Sequence, residues 1–251
     1  MQRRIVTVVS VAEIARQTIK MVVQDEYISK YASPGQFVHI AVRNHTLRRP
    51  ISIASVNKTE QTFTLLFKII GSGTEQLANS RVSDTLDMLG PNGNGFPLDE
   101  IRAGEKLLLV GGGIGVPPLH FLAERLQQYD VDVHAILGFQ TEDYVFFQAE
   151  FAQLSHYTIV TADGTYGEKG LVTDYINQVG NIDRYYSCGP LPMLRAVANS
   201  LPDVSGYLSF EERMGCGVGA CYACVIPTNT PEKYKKICQD GPVIATNEVK
   251  L

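Results

Sequence analysis

Three of the five cysteines of this 251-residue chain lie within nine residues, in the glycine-rich stretch MGCGVGACYACV. Their spacing is Cys216-x4-Cys221-x2-Cys224, and a fourth cysteine, Cys238, follows after thirteen residues. A segment so short and so poor in apolar residues does not fold without a staple. The spacing C-x4-C-x2-C with a distant fourth cysteine is typical of the ligands of a plant-type [2Fe–2S] cluster. A structural zinc ion is the alternative, but zinc sites more often use two C-x2-C pairs and this stretch holds one.

The glycines among these cysteines supply a physical reason to favour the cluster. We expect Gly215, Gly217 and Gly219 to adopt positive φ and to turn backbone N–H groups toward the cluster sulfurs. Such hydrogen bonds stabilise the extra electron of a reduced cluster and so help to set its potential.

Composition narrows the class of protein. The formal net charge of −4 gives no electrostatic case for nucleic-acid binding. No apolar run reaches the length of a membrane span, and no basic-then-apolar signal segment opens the chain. We therefore expect a cytoplasmic protein, and in that reducing compartment clustered cysteines favour a metal or redox site over disulfides.

The first hundred residues are rich in β-branched and aromatic residues, separated by turn signals such as Ser33-Pro34-Gly35 and the PNGNG stretch at 91–95. The predicted strands are Val6–Val11, Thr18–Val23, Gln36–Val42 and Thr62–Ile69. Several short strands at this spacing predict an antiparallel barrel or sandwich.

The pattern changes at Lys106, where an apolar run leads into a glycine loop and then into a helical pattern. Pro117 and Pro118 fit the first turn of that helix. Further buried strands are predicted at Val131–Leu137, Thr158–Thr161 and Arg184–Ser187. Because helical stretches alternate with them, a parallel α/β domain is expected.

The glycine loop GGGIGVPP, Gly111 to Pro118, follows a strand and opens a helix, which favours binding of a dinucleotide pyrophosphate; a merely tight turn is the alternative. A 2′-phosphate would require a basic residue near the end of the next strand. The chain has no Lys or Arg from Leu126 to Glu168, and Glu142 and Asp143 follow that strand. NAD is therefore preferred to NADP.

Three other features have two interpretations each. The stretch RRPISIAS, with Arg48, Arg49 and Ser52, could bind phosphate or be an exposed basic turn. The stretch KIIGSGTEQLA could hold phosphate or simply cap a helix. Cys188 lies where a strand ends and a helix begins, either at a ligand site or as a small buried residue. The five histidines have no metal-like spacing, and none is assigned a role.

In chain order, the motifs Arg49-Pro50-Ile51-Ser52, Gly73-Thr74, the glycine loop and Cys188-Gly189-Pro190 resemble the ferredoxin–NADP reductase superfamily. The C-terminal ERMGCGVGACYACV with Cys238 resembles the electron-transfer subunits of class 1B dihydroorotate dehydrogenases. The resemblance covers essentially the whole chain. It implies a FAD-binding antiparallel β-barrel at 1–100, a NAD-binding parallel α/β domain at 101–210 and a [2Fe–2S] domain at 211–251.

The resemblance also implies site residues. Those along the flavin are Arg49, Pro50, Ile51, Ser52, Leu66, Phe67, Lys68, Gly73 and Thr74. Those of the nucleotide loop are Gly111, Gly112, Gly113 and Gly115. Cys188 is placed beside the nicotinamide as a catalytic residue, and the cluster ligands are Cys216, Cys221, Cys224 and Cys238.

The function implied is electron transfer in pyrimidine biosynthesis, from the FMN of a catalytic partner through the cluster and FAD to NAD⁺. The partner is expected to form a heterotetramer with this chain, two copies of each, and Arg213 and Tyr222 are expected at the interface. A reductase subunit of a hydrogenase or of a ferredoxin reductase complex is the alternative within the same architecture. A redox sensor that binds nucleotide without turnover is the alternative from another class.

Overall fold

A computed structural model describes residues 1–251 and begins with a closed six-stranded antiparallel barrel. Its strands are β1 Gln2–Ala15, β2 Thr18–Gln24, β3 Phe37–Ile40, β4 Arg49–Asn57, β5 Thr62–Lys68 and β6 Thr85–Asn92. They pair in the order β1-β2-β5-β4-β3-β6. Two short helices, α1 Glu26–Tyr31 and α2 Ser72–Ala78, lie between strands. The barrel, rather than the sandwich, is therefore the correct alternative.

Side chains alternate across the barrel wall, as the pleat of a strand requires. On β3, Val38 and Ile40 belong to the apolar core inside the barrel. Phe37 instead packs into a core shared with the C-terminal segment. The outer face of β3 therefore packs in part against the C-terminal segment.

The second unit is a seven-stranded sheet in the order β10-β9-β8-β7-β11-β12-β15. Its strands are β7 Lys106–Gly112, β8 Asp132–Phe139, β9 His156–Thr161, β10 Glu168–Lys169, β11 Arg184–Cys188, β12 Ser205–Ser209 and β15 Val243–Ala245. The helices beside it are α3 Val116–Leu126, α4 Gln148–Leu154 and α5 Leu191–Ser200, with 3₁₀ turns at Gly113–Gly115, Glu142–Tyr144, Val172–Gln178 and Thr246–Glu248. Every pairing is parallel except that of β12 with β15. The parallel α/β prediction is confirmed, and Pro117 and Pro118 lie in the first turn of α3.

The strand order reverses at β7, because β8 and β9 follow on one side and β11 and β12 on the other. In such sheets the carboxyl ends of the two strands at the reversal form a crevice in which ligands bind. Here those ends are Gly111-Gly112 on β7 and Cys188 on β11, paired in register. The fold therefore brings the glycine loop to the turn after Cys188.

The C-terminal segment contains a two-stranded hairpin, β13 Val225–Pro227 and β14 Tyr234–Lys236. Its last strand, β15, joins the large sheet beside β12, where Ser209 pairs with Val243. The small cluster-bearing unit predicted at 211–251 thus contributes one strand to the sheet of the unit before it. The boundaries at 100 and 210 stay predictions.

None of the helices has the length and apolar character needed to cross a membrane.

Candidate functional site

A cavity of about 760 Å³ opens between the barrel, the glycine loop and the segment that leads to the cysteines. Its size is that of a pocket for a cofactor. Eight of the nine residues predicted along the flavin line it, namely Arg49, Pro50, Ile51, Ser52, Leu66, Phe67, Lys68 and Thr74. The ninth, Gly73, does not line the cavity but touches Arg49, which does, because a Cβ there would lie 2.5 Å from Arg49 Nε.

The stretch RRPISIAS proves to be strand β4 and not an exposed turn, which separates its side chains by face. Pro50 and Ser52 lie directly opposite His39 and Phe37 of β3, on the outer face of the barrel. Ile51 pairs with Val38 and packs into the barrel core, so only its edge reaches the cavity. The outer face of β4 is therefore the wall available to a flavin.

The two adjacent arginines do different things. Arg48 is held by Asp87, with its Nη2 3.0 Å from Asp87 Oδ1, and its Nη1 donates to the carbonyl oxygen of His39. Arg49 donates only to the carbonyl oxygen of Leu47. The guanidinium of Arg49 therefore keeps donors free for a phosphate, while Arg48 braces the barrel.

The turn before α2 lies next to Arg49. Its shape is fixed by Thr74, whose Oγ1 accepts the backbone N–H of Ile70 at 3.0 Å and donates to the carbonyl oxygen of Gly71. Since Gly73 has no side chain, Arg49 can lie against its backbone. Together they form a cationic corner of the kind that binds phosphate groups.

The glycine loop packs against the turn after β11 more closely than any side chain would allow. A Cβ at Gly115 would come within 2.1 Å of the carbonyl oxygen of Cys188, and one at Gly112 within 2.5 Å of Met193 Sδ. Gly111, Gly112, Gly113 and Gly115 do not line the large cavity, but Ile114 between them does. The crevice at the strand reversal therefore opens next to the cavity.

Cys188 is only 1% exposed and packs among Leu109, Tyr186 and other core residues. Burial, together with the nearby charge of Glu211, raises the pKa of its thiol well above the ordinary value. A thiol of that kind stays protonated and cannot act as a nucleophile or a base. The place of Cys188 beside the nicotinamide stays a prediction. Any role of this residue would come from packing against the ring and not from acid–base or nucleophilic chemistry.

The stretch Ser209–Met214 forms one wall of the cavity, which the sequence interpretation missed. Glu211 lines the cavity, and the protein around its carboxyl group partly removes that group from water, which raises its pKa. The sequence signal that could have identified this wall is its position. The stretch follows the parallel strand β12, and ligand sites of such sheets lie at the carboxyl ends of their strands.

The four clustered cysteines are arranged as two pairs. Cys216 and Cys221 lie in one loop, where each backbone N–H donates to the other's Sγ, at 3.5 and 3.3 Å. Cys224 and Cys238 stand at the base of the β13–β14 hairpin, where the backbone N–H of Ile237 donates to the carbonyl oxygen of Cys224 at 2.8 Å. The hairpin thus brings together two cysteines that the sequence separates by thirteen residues.

Backbone N–H groups point at the sulfurs, as the glycines predict. Val218 donates to Cys216 Sγ at 3.4 Å and Gly219 to Cys238 Sγ at 3.2 Å. Gly217 and Gly219 have φ of +69° and +79°, as expected. Gly215 does not adopt positive φ, so that expectation was wrong; a Cβ there would lie 3.3 Å from Cys221 Sγ, and glycine serves instead for space beside the sulfur.

This donor set fits a cluster of two irons. Two pairs of thiols match a [2Fe–2S] cluster, in which each iron takes two cysteines. Although burial opposes it, donation by the N–H groups of Val218 and Cys221 lowers the pKa of Cys216 to about 6, which favours the thiolate that binds iron.

The end of β8 carries the acidic residues on which the NAD preference rests. Glu142 is exposed, whereas Asp143 pairs with Arg16 of the barrel at 3.3 Å. Arg16 is a basic residue near this site. It lies far from residues 126–168 in the sequence, so the search of that range for Lys and Arg did not include it. Because Arg16 pairs with Asp143 and Glu142 has no ion pair, this end of β8 keeps a net negative charge, which favours NAD over NADP.

Comparison with known proteins agrees with this geometry. Residues 211–250 match a family described as the iron–sulfur cluster binding domain of dihydroorotate dehydrogenase B. The chain is 48% identical, over the whole length of both, to a Bacillus cereus protein named dihydroorotate dehydrogenase B (NAD(+)), electron transfer subunit, and 47% identical to one of the same name from Bacillus anthracis.

Solved structures show the same fold. An NADH-dependent reduced ferredoxin-NADP oxidoreductase superposes with a TM-score of 0.88 and 28% identity, over 98% of this chain and 89% of that one. A ferredoxin reductase of carbazole 1,9a-dioxygenase superposes with a TM-score of 0.68 and 20% identity, over 81% of this chain and 66% of that one.

Proposed function

Since this chain belongs to the family of dihydroorotate dehydrogenase B electron transfer subunits, we propose that it carries electrons from the FMN of a catalytic partner subunit to NAD⁺. It is an oxidoreductase subunit that uses a [2Fe–2S] cluster, FAD and NAD. The reaction served is the oxidation of dihydroorotate in pyrimidine biosynthesis.

The observation that carries this function is the continuity of the cavity with the cysteine loop. One wall of the cavity is the outer face of β4, and another is Ser209–Met214, which runs directly into Cys216. Ile114 of the nucleotide loop reaches the same cavity. The flavin pocket, the nucleotide crevice and the cluster loop therefore adjoin one another.

Each group of residues has its own task. Arg49 and the turn at Gly73-Thr74 bind the phosphates of FAD, and the outer face of β4 orients its ring. Gly111 to Gly115 let NAD approach the backbone at the strand reversal. FAD held in the flavin pocket would supply the conversion of a two-electron hydride into single electrons, the form that a [2Fe–2S] cluster could take up. The two cysteine pairs hold that cluster.

The partner and the assembly follow from the subunit role. We infer a heterotetramer of two copies of each subunit in the cytoplasm, with the partner over the cluster. Tyr222, next to the ligand Cys221, is 62% exposed, and Val218 and Tyr234 near it are also exposed apolar residues. An exposed apolar group of this kind favours an interface.

The alternatives are less well supported. Full-length identity is 48% to the dihydroorotate dehydrogenase subunit but 28% to the ferredoxin-linked reductase. Presence of both a nucleotide crevice and a cluster loop around one cavity argues against a sensor without turnover.

The test compares the isolated chain with the complex, both reconstituted with iron and sulfide. We expect the isolated chain to bind FAD, iron and sulfide and to reduce an artificial dye with NADH, but not to oxidise dihydroorotate. Addition of the catalytic subunit should confer dihydroorotate-dependent NAD⁺ reduction. Dihydroorotate oxidation by the isolated chain would refute the division of labour.

A further inference from the structure

His39 lies in the middle of β3 and is completely buried, yet neither nitrogen of its imidazole ring has a hydrogen-bond partner in the protein. Buried polar groups are nearly always paired, and one without a partner requires an explanation. Bulk solvent does not reach the ring, because His39 is 0% exposed.

The ring of His39 faces the cysteine loop. A Cβ at Gly217, the residue after the ligand Cys216, would come within 2.1 Å of His39 Nδ1. The ring therefore occupies the space beside Gly217. The positive φ of Gly217 and this contact both exclude a side chain there.

The same face of β3 also meets the flavin cavity. His39 pairs with Pro50, and Phe37, two residues earlier on the same face, pairs with Ser52; Phe37, Pro50 and Ser52 all line the cavity. Phe37 also packs in one core with Cys224 and Cys238. His39 thus lies on the wall that separates the flavin cavity from the cluster loop.

The charge state of the ring is set by its surroundings. Burial, aided by the positive charges of Arg48 and Arg49, lowers the pKa of His39 to about 4. The ring is neutral at neutral pH, so one nitrogen carries a proton that it can donate. Gly217 of the cysteine loop touches the ring, so a group held by that loop is a source of acceptors for this proton.

We propose that the imidazole N–H of His39 donates a hydrogen bond to a sulfur atom of the [2Fe–2S] cluster, which makes His39 a positioning residue that raises the cluster's reduction potential. The proposal rests on the proposed function only in requiring that the cysteine loop binds the cluster. A donor aimed at cluster sulfur stabilises the reduced state, because that state carries the additional negative charge.

Pulsed electron paramagnetic resonance of the reduced wild-type complex tests the contact directly. With this chain alone labelled with ¹⁵N-histidine before assembly, we expect a hyperfine coupling between the cluster and one imidazole nitrogen. The coupling should vanish in His39→Gln and persist in His120→Gln, which replaces another buried histidine, one that is bonded to the carbonyl oxygen of Ala54. A wild-type cluster without such a coupling would overturn the proposal.

Redox titration tests the consequence. His39→Leu should lower the cluster's potential, whereas His39→Asn or His39→Gln, whose amide N–H can stand in for Nδ1 or Nε2, should restore it in part. The potential of FAD should stay unchanged in all three. An unchanged cluster potential in His39→Leu, or a shift confined to FAD, would refute the role. If His39→Leu binds no cluster, the wild-type coupling decides.

Iron and sulfide analysis distinguishes failure of the proposed function from failure of the proposed role of His39. Absence of iron from the wild-type chain would refute the proposed function, whereas a bound cluster with no histidine coupling would refute only the role of His39.

Discussion

At the scale of single residues, the chemistry depends on which sulfurs are close to one another. Cys216 and Cys221 are joined by a tight loop, whereas Cys224 and Cys238 are joined by a hairpin. Each pair would supply the two protein ligands of one iron. Loss of a single thiol therefore leaves one iron with an incomplete ligand set.

Replacing Cys221 or Cys224 by Ser should remove most of the bound iron and the visible iron–sulfur absorption, because a hydroxyl is a poor substitute for a soft thiolate. FAD content should not change, since the flavin cavity is formed by other residues. Absorption and iron analysis of the purified variants measure both.

The control for these variants is Cys188→Ser, at the fifth cysteine, which is buried in the α/β core. It should keep its full iron content. Iron retained after replacement of Cys221 or Cys224 would show that the ligand set is wrong.

The four cysteines could be proposed as ligands from spacing because three of them lie within one loop, whose local geometry the spacing encodes. His39 and Glu211 could not. A histidine inside a strand, or a glutamate after one, becomes a site residue only when distant segments close around it. The positive φ of Gly217 and Gly219 was predictable, but the crowding at Gly215 depends on the position of a sulfur.

At the scale of elements, the nucleotide site depends on two strand-to-helix turns that touch. The turn from β7 to α3 meets the turn from β11 to α5, and the contact is made by backbone atoms of Cys188 at Gly115. Backbone atoms in adjacent parallel strands cannot move apart without loss of pairing.

Gly115→Ala should therefore be more harmful than Gly112→Ala. Its new methyl group would meet a carbonyl oxygen at 2.1 Å, while that of Gly112→Ala would meet the end of the flexible Met193 side chain. Overpacking of a tight site typically costs about 1–3 kcal/mol, and we expect KM for NADH to rise about tenfold in Gly115→Ala. Steady-state dye reduction measures it, with thermal unfolding to report stability. Equal effects of the two variants would contradict the contact.

Strands that contain an apolar run were predicted correctly. Their predicted ends lie within a few residues of the observed ones at β2, β5, β8 and β11. The strands β4 and β6 were missed, because the first opens with Arg49 and Pro50 and the second carries Asp87 and ends in a turn motif. The β-strand propensity of a sequence is weak where the strand also lines a binding site. Polar residues there interrupt the alternation of apolar residues that marks a core strand.

At the scale of the whole molecule, the cluster lies near an exposed surface that a partner can cover. Tyr222 stacks against Lys236, whose Nζ is 4.4 Å from the ring centre and donates to the carbonyl oxygen of Gly219. An aromatic side chain held rigid in this way is a suitable anchor for an interface.

Replacing Arg213 and Tyr222 together by Ala should raise the Kd for the catalytic subunit at least about tenfold, because Arg and Tyr anchors commonly contribute more than 1 kcal/mol each. Titration of the isolated subunits measures it. The control is Tyr157→Ala, which removes an exposed tyrosine from β9, near the edge of the sheet opposite to β15. Unchanged affinity in the double variant would place the partner elsewhere.

The sequence predicted the barrel, the α/β unit and the cysteine-bearing segment in their order along the chain. It did not predict how the cysteine-bearing segment is attached to the α/β unit. The return of the chain to the large sheet through β15 depends on pairing with β12, and three residues, Val243–Ala245, carry too little pattern to reveal it.

That attachment has a mechanical consequence. Ser209 and Val243, which bound the cysteine-bearing excursion, sit opposite each other in adjacent strands, and Asn94 of the barrel side bridges to Pro242 beside them. An excursion whose two ends are paired side by side in one sheet, and which is also bridged to the barrel, is held more firmly than one tied at a single end. We therefore expect the cysteine loop to keep its place beside the flavin cavity, so that electron transfer would need no movement of a separate domain.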